Sequence, residues 1–128
     1  MSLPTPRPHQ RSIHASKRAA LVRRIAVGWQ DQALCRKFPD DDWFPAPATS
    51  QVVAELVEVC RRCPAQTSCL AAALAMGEEH GIWGGTTEAD RHQAVCDLGR
   101  GAHVSEILNR LMTRDHQQAE GRERGEAA

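Results

Sequence analysis

Residues 60–77 read CRRCPAQTSCLAAALAMG, and this stretch decides the fold. Cys60 and Cys63 stand at i and i+3, so at a helix end their sulfurs emerge on one face and can grip a common centre. Pro64 stops that helix, because its ring removes an amide and clashes with the turn before it. A second helix restarts at 65–67 and carries Cys69, Leu70, Ala73, Leu74 and Met76. Its alanines permit close helix packing, and Gly77 is the expected terminator.

Upstream, Thr49 or Ser50 can cap a helix that gathers Val52, Val53, Leu56, Val57 and Cys60 on one face. Before it, 38–48 holds Pro39, Pro45 and Pro47 with Asp40, Asp41 and Asp42, which predicts an irregular loop whose Trp43 and Phe44 require burial. Leu21, Ile25 and Trp29 recur every fourth position, so the spacing predicts an amphipathic helix over 16–29, frayed at Gly28. The first ten residues, with three prolines, read as a disordered arm.

Downstream, Gly81-Ile82-Trp83-Gly84-Gly85 cannot continue a helix and predicts a tight turn with positive φ that projects one large ring, Trp83. Thr87 with Asp90 is a capping box with Asp in place of Glu, opening a helix to about Leu98 that Gly99 and Gly101 end. Val104, Ile107, Leu108, Leu111 and Met112 then give a strong helical period before a polar tail beyond His116. The fold class that follows is all-α, a small domain of about four to five short helices around the four-cysteine site. The expected organisation is a disordered arm at 1–15, the cysteine domain at 16–98, and a C-terminal amphipathic helix with its tail at 99–128.

A chain of 128 residues fits one domain, but three Trp, two Phe and no Tyr make a thin core that invites a staple. No signal-peptide core and no membrane-length apolar run stand in the sequence, so a cytoplasmic protein is expected. In that reducing compartment five cysteines argue for metal ligation or redox chemistry over a disulfide framework. Net charge is zero, yet residues 1–37 carry eight Lys or Arg against Asp31, whereas 38–90 carry nine carboxylates against Arg61 and Arg62. The neutral total conceals a basic arm and an acidic middle, and the acidic middle suits a basic partner surface.

Cys69 lies beyond the Pro64 turn and Cys35 arrives from a remote loop, so one ligand ties the N-terminal helix to the rest. Four thiolates also suit zinc, but all-cysteine zinc modules present two short CxxC knuckles and this chain has one. Neither ferredoxin spacing fits. The lopsided set favours a bulkier iron–sulfur cluster on Cys35, Cys60, Cys63 and Cys69. Cys96 lacks a CxxC partner and reads as a packed thiol beside Val95. No Ser-His-Asp grouping, phosphate loop or HExxH is present, the six histidines lack ligand spacing, and His80 reads as a surface residue.

Taken in order, Cys35, the Pro39-Asp40 and Trp43-Phe44-Pro45 loop, Cys60-x2-Cys63-Pro64, Cys69-Leu70 and the Gly81–Gly85 turn followed by Thr87 resemble the WhiB-like iron–sulfur transcriptional regulators of actinobacteria and their phages. The resemblance covers about 29–90. It implies a helical protein around a 4Fe-4S cluster, responsive to nitric oxide or oxygen, that binds the C-terminal domain of the primary sigma factor. It further implies a partner-facing surface at Trp83, Gly84 and Gly85, extended by Trp43 and Phe44, no catalysis, and a monomer when loaded. Many members carry a basic C-terminal stretch proposed to contact DNA, but here 91–128 is charge-balanced, with six residues of each sign. Arg7, Arg11, Lys17, Arg18, Arg23 and Arg24 offer the better surface for phosphate. Two other readings stay open at this point: a thiol–disulfide oxidoreductase using Cys60 and Cys63, and a zinc-stabilised interaction module.

Overall fold

The computed structural model describes residues 13–37, Trp43 and residues 50–113. Phe44, Asp40, Asp41, Asp42, the N-terminal arm through residue 12 and the polar tail from 114 lie outside the described residues. Within them the fold is all-α: α1 (Ala15–Val22), two 3₁₀ turns (Trp29–Gln32 and Leu34–Lys37), α2 (Ser50–Arg61), α3 (Gln66–Met76), α4 (Glu88–Gly99) and α5 (Val104–Thr113). No helix is long and apolar enough to cross a membrane among these residues.

The Ala-Leu segment after Cys69 becomes the central post. Leu70, Ala71, Ala73 and Leu74 of α3 are at most 1% exposed, and a helix apolar on all sides must be wrapped by others. Leu21 of α1, Ala94 and Leu98 of α4, and Ile107, Leu108 and Leu111 of α5 supply the wrapping. Alanine on three sides of α3 lets these neighbours approach closely. The amphipathic C-terminal segment is therefore part of the same core as the cysteine helices. Gly77, at φ +69°, ends α3 in the left-handed conformation, and its N–H returns to the Ala73 carbonyl.

The helix expected over 16–29 stops at Val22. Local periodicity loses there to a tertiary contact, because the Ala26 N–H donates to Ser68 Oγ of α3 at 3.0 Å and holds the chain off helical geometry. Ile25 still packs against the core, and Trp29 opens a 3₁₀ turn instead of closing a helix. Two cations of α1 serve inside the fold: Arg18 Nε donates to the Ala75 carbonyl at 3.1 Å and Lys17 Nζ to the Ala102 carbonyl at 2.8 Å. Both acceptors sit at or just beyond a helix C-terminus, where carbonyls lack intrahelical partners and positive charge is favoured.

The capping box forms as the sequence predicts. Asp90 N–H donates to Thr87 Oγ1 at 3.2 Å, and Thr87 N–H donates to Asp90 Oδ2 at 2.9 Å. Arg110 of α5 bonds Asp97 of α4 at 2.8 Å, holding the carboxyl below its ordinary range and joining the last two helices.

A second, smaller apolar cluster lies apart from this core. Trp43, Val53, Val57, Cys60 and Ile82 form it, with Cys35, Leu56 and Val59 against its edge. The Ile82 N–H donates to the Trp43 carbonyl at 2.8 Å, so Trp43 is tied to the glycine turn.

Candidate metal centre

The second cluster borders a cavity of about 300 Å³ into which four thiols open. Cys35 comes from the second 3₁₀ turn, Cys60 from the last turn of α2, Cys63 from the link that follows it, and Cys69 from the first turn of α3. Cys63 stands just past the helix end, its N–H on the Cys60 carbonyl at 3.0 Å, which keeps the pair on one side of the link. Trp29, Trp43, Ile82 and Trp83 wall the remainder, so the site is apolar apart from its sulfurs and a few amides.

Those amides are aimed at sulfur. Leu34 and Ala65 N–H groups both donate to Cys63 Sγ at 3.4 Å. The Gly85 backbone stands beside Cys60 and lowers its thiol pKa, and the Gly84 backbone does the same for Cys69. Burial pushes the Cys60 thiol up to about 11, against the Gly85 backbone and with further repulsion from Cys63 and Cys35. Burial likewise pushes Cys69 up to about 12, with repulsion from Cys60 and relief from the Gly84 backbone. Among the described residues, however, no three of His, Cys, Asp and Glu converge on a single-ion position.

The glycine turn roofs the cavity. Trp83 and Thr86 exchange backbone hydrogen bonds of 3.2 and 2.9 Å, and Gly84 and Gly85 between them have φ of +55° and +80°. Positive φ at both central positions is the type I′ geometry that glycine favours. Space imposes a second demand at Gly84, where a Cβ would lie 2.7 Å from Leu70 Cβ and 2.9 Å from Leu70 N. At Gly85 it would meet Gln66 Nε2 at 3.2 Å. Gln66, buried at the start of α3, also donates to the Gly84 carbonyl at 3.2 Å. The half-buried Trp83 donates its indole N–H to the His80 carbonyl at 2.8 Å, which fixes its ring at the mouth of the cavity.

The structure thus brings together Cys35, Cys60, Cys63, Cys69, Trp43, Trp83, Gly84 and Gly85 from the sequence reading. Cys96 stays outside, half-buried on α4, with Sγ 3.9 Å from His92 Nε2 one turn earlier. His80 is exposed and pairs with Glu88 at 3.2 Å. Sequence reasoning missed Trp29, Gln66 and Arg91. The every-fourth spacing from Leu21 places Trp29 on a helix face, and nothing local marks Gln66 or Arg91 as buried. A larger cleft of about 630 Å³ between the end of α3 and the start of α4 contains no thiol and is rimmed by Glu78, Glu79 and Glu88.

Fold and site together define a small helical protein built around a four-thiol centre under a tryptophan-bearing turn. Residues 29–94 match the family described as transcription factor WhiB, and the chain belongs to that family. It is 36% identical over 68 residues to the transcriptional regulator WhiB1 of Mycobacterium tuberculosis, covering 51% of this chain and 81% of that protein. It is 39% identical over 67 residues to the transcriptional regulator WhiB of Streptomyces coelicolor, covering 52% and 75%. The redox- and pH-responsive transcriptional regulator WhiB3 of M. tuberculosis is 38% identical over 68 residues, covering 49% and 67%. The matched segment includes all four site cysteines and the glycine turn, whereas α1 and α5 lie outside it.

Proposed function

We propose that this chain is a redox- or nitric-oxide-responsive transcriptional regulator that holds a 4Fe-4S cluster on Cys35, Cys60, Cys63 and Cys69 and docks on the C-terminal domain of the primary sigma factor. The observation that carries this reading is the single cavity into which four thiols from separate elements open, with two backbone amides directed at the Cys63 sulfur. The cluster, when bound, supplies one-electron redox chemistry and a target for oxygen and nitric oxide. The cysteines hold it, the Leu34 and Ala65 amides offset the charge on the Cys63 sulfur, and Trp29, Trp43 and Ile82 exclude water. Trp83 presents a fixed, half-exposed ring beside the centre, the kind of aromatic anchor that dominates binding energy at interfaces. Trp43 supports that face through its carbonyl, which fastens Ile82.

Thiol–disulfide exchange is disfavoured, because it requires an accessible thiol of low pKa and Cys60 is 8% exposed with its thiol raised. A zinc module is disfavoured by the lone CxxC of Cys60 and Cys63, since all-cysteine zinc modules present two such knuckles. Direct DNA contact has thin support among the described residues, since Lys17 and Arg18 are committed to helix ends and Arg23 and Arg24 remain as the exposed cations of that segment.

The test is binding of anaerobically isolated protein to the immobilised sigma C-terminal domain. The intact chain is expected to be retained, and Trp83→Ala to weaken retention by more than tenfold, consistent with a hot spot of roughly 2 kcal/mol. Equal binding by the intact chain and the variant removes Trp83 from the interface, and no binding by either overturns the sigma assignment.

A further inference from the structure

Arg91 is the only charged side chain in the buried class among the described residues, at 2% exposed. It sits in the first turn of α4 and reaches back under the roof of the cysteine cavity. Its Nη1 donates to the Thr86 carbonyl at 2.8 Å and to Thr86 Oγ1 at 3.1 Å, while Nη2 donates to the Gly81 carbonyl at 2.7 Å. Nε donates to the Glu78 carbonyl at 3.2 Å. One planar guanidinium therefore grips both ends of the glycine turn and the strand of chain leading into it, a geometry that a lysine ammonium cannot reproduce.

All these acceptors are neutral oxygens, which is an unusual setting for a buried cation. Desolvation pulls the Arg91 pKa down, and the groups that act against it at a distance are Glu88, Asp90, the Cys69 sulfur once it is ionised, and Glu78. A retained charge beneath a set of four thiols has an electrostatic use, because ligated thiolates leave the centre net negative.

We propose that Arg91 is the positioning residue of the cysteine centre: it clamps the turn at 81–86 so that Gly84 and Gly85 stay seated over the cavity beside Cys69 and Cys60, and it supplies the buried positive charge that balances the loaded site. The inference rests on the cluster reading of the four cysteines.

Two variants separate clamp from charge. Arg91→Lys keeps the charge and loses the two-ended grip, and Arg91→Met loses both. In the apoprotein, amide hydrogen exchange is expected to speed up at least about tenfold at Gly84 and Gly85 in both variants, while Leu70, Leu74 and Ile107 keep the exchange rates of the parent. In loaded protein, iron loss to a chelator is expected to accelerate about tenfold in both, the range for groups that orient metal ligands. The midpoint potential should fall in Arg91→Met and stay near the parent value in Arg91→Lys, because a positive charge favours the reduced, more negative centre.

Turn amides that exchange at the parent rate in both variants overturn the clamp. So does a uniform acceleration of turn and core amides, which marks a merely structural arginine. Equal potentials in the parent and Arg91→Met overturn the charge role. A parent chain that takes up no cluster sinks the underlying reading instead, and the apoprotein exchange still judges the clamp separately.

Discussion

Replacing Gly84 by alanine probes the most constrained contact in the site. Two effects add. At φ +55° an L-residue pays the left-handed penalty of about 1–2 kcal/mol. The new methyl would also lie 2.7 Å from Leu70 Cβ and within 3.0 Å of the Leu70 backbone, in the middle of the buried central helix. Neither the turn nor α3 can yield easily, so overpacking costs about another 1–3 kcal/mol. The total, about 2–5 kcal/mol, is a large fraction of what a domain of this size has. Gly85→Ala is the internal control. Its φ of +80° brings comparable strain, but the atom it meets at 3.2 Å is the end of the Gln66 side chain, which can swing aside. Urea denaturation of the apoproteins should therefore place Gly84→Ala at least about 1 kcal/mol below Gly85→Ala, with both below the parent. Equal loss in the two variants would refute the claim that close approach to Leu70, and not turn conformation alone, makes glycine necessary at position 84.

The apoprotein should lose stability at high pH. The unfolded chain releases thiol protons near 9.0, whereas folded Cys60 and Cys69 hold theirs to about 11 and about 12. Their contribution is complete below pH 9.0 and is lost as pH rises through the folded values, so the urea midpoint should drop between pH 9 and 11, and the double Cys→Ser variant should flatten that drop. Arg18→Ala removes the donor to the Ala75 carbonyl and should cost about 0.5–1.5 kcal/mol, while Arg23→Ala, on the exposed side, should stay within about 0.5 kcal/mol of the parent; thermal melts distinguish them. Thr87→Ala breaks the capping box of α4 and should cost about 1 kcal/mol by urea titration, with Thr87→Ser restoring most of it.

Much of the architecture was legible because it is locally encoded. The period of Val104, Ile107, Leu108 and Leu111, the Thr87–Asp90 cap, the Gly77 stop and the double-glycine turn each follow from residues within one or two helical turns of one another. The four cysteines were legible as a set from spacing, since Pro64 has to reverse the chain between Cys63 and Cys69. The remainder depends on contacts distant in sequence. A serine hydroxyl on α3 ends α1 early by capturing the Ala26 amide, which no periodicity around Ile25 announces. Lys17 and Arg18 look like a solvated basic face until α3 and the α4–α5 link supply carbonyls for them. Arg91 stands in the first turn beside Glu88 and Asp90 and reads as ordinary helix surface, yet the turn at 81–86 folds over it. α1 and α5 lie outside the family match but cover the central helix, so the part of the chain that carries the site does not supply all of its own core.

Iron and acid-labile sulfide counted after strictly anaerobic purification test the central claim most directly. The arrangement of Cys35, Cys60, Cys63 and Cys69 predicts about four iron and about four sulfide per chain, lost when any one of these cysteines becomes serine and kept in Cys96→Ser. About one zinc with no sulfide, or a metal content unaffected by the loss of Cys35, would contradict it.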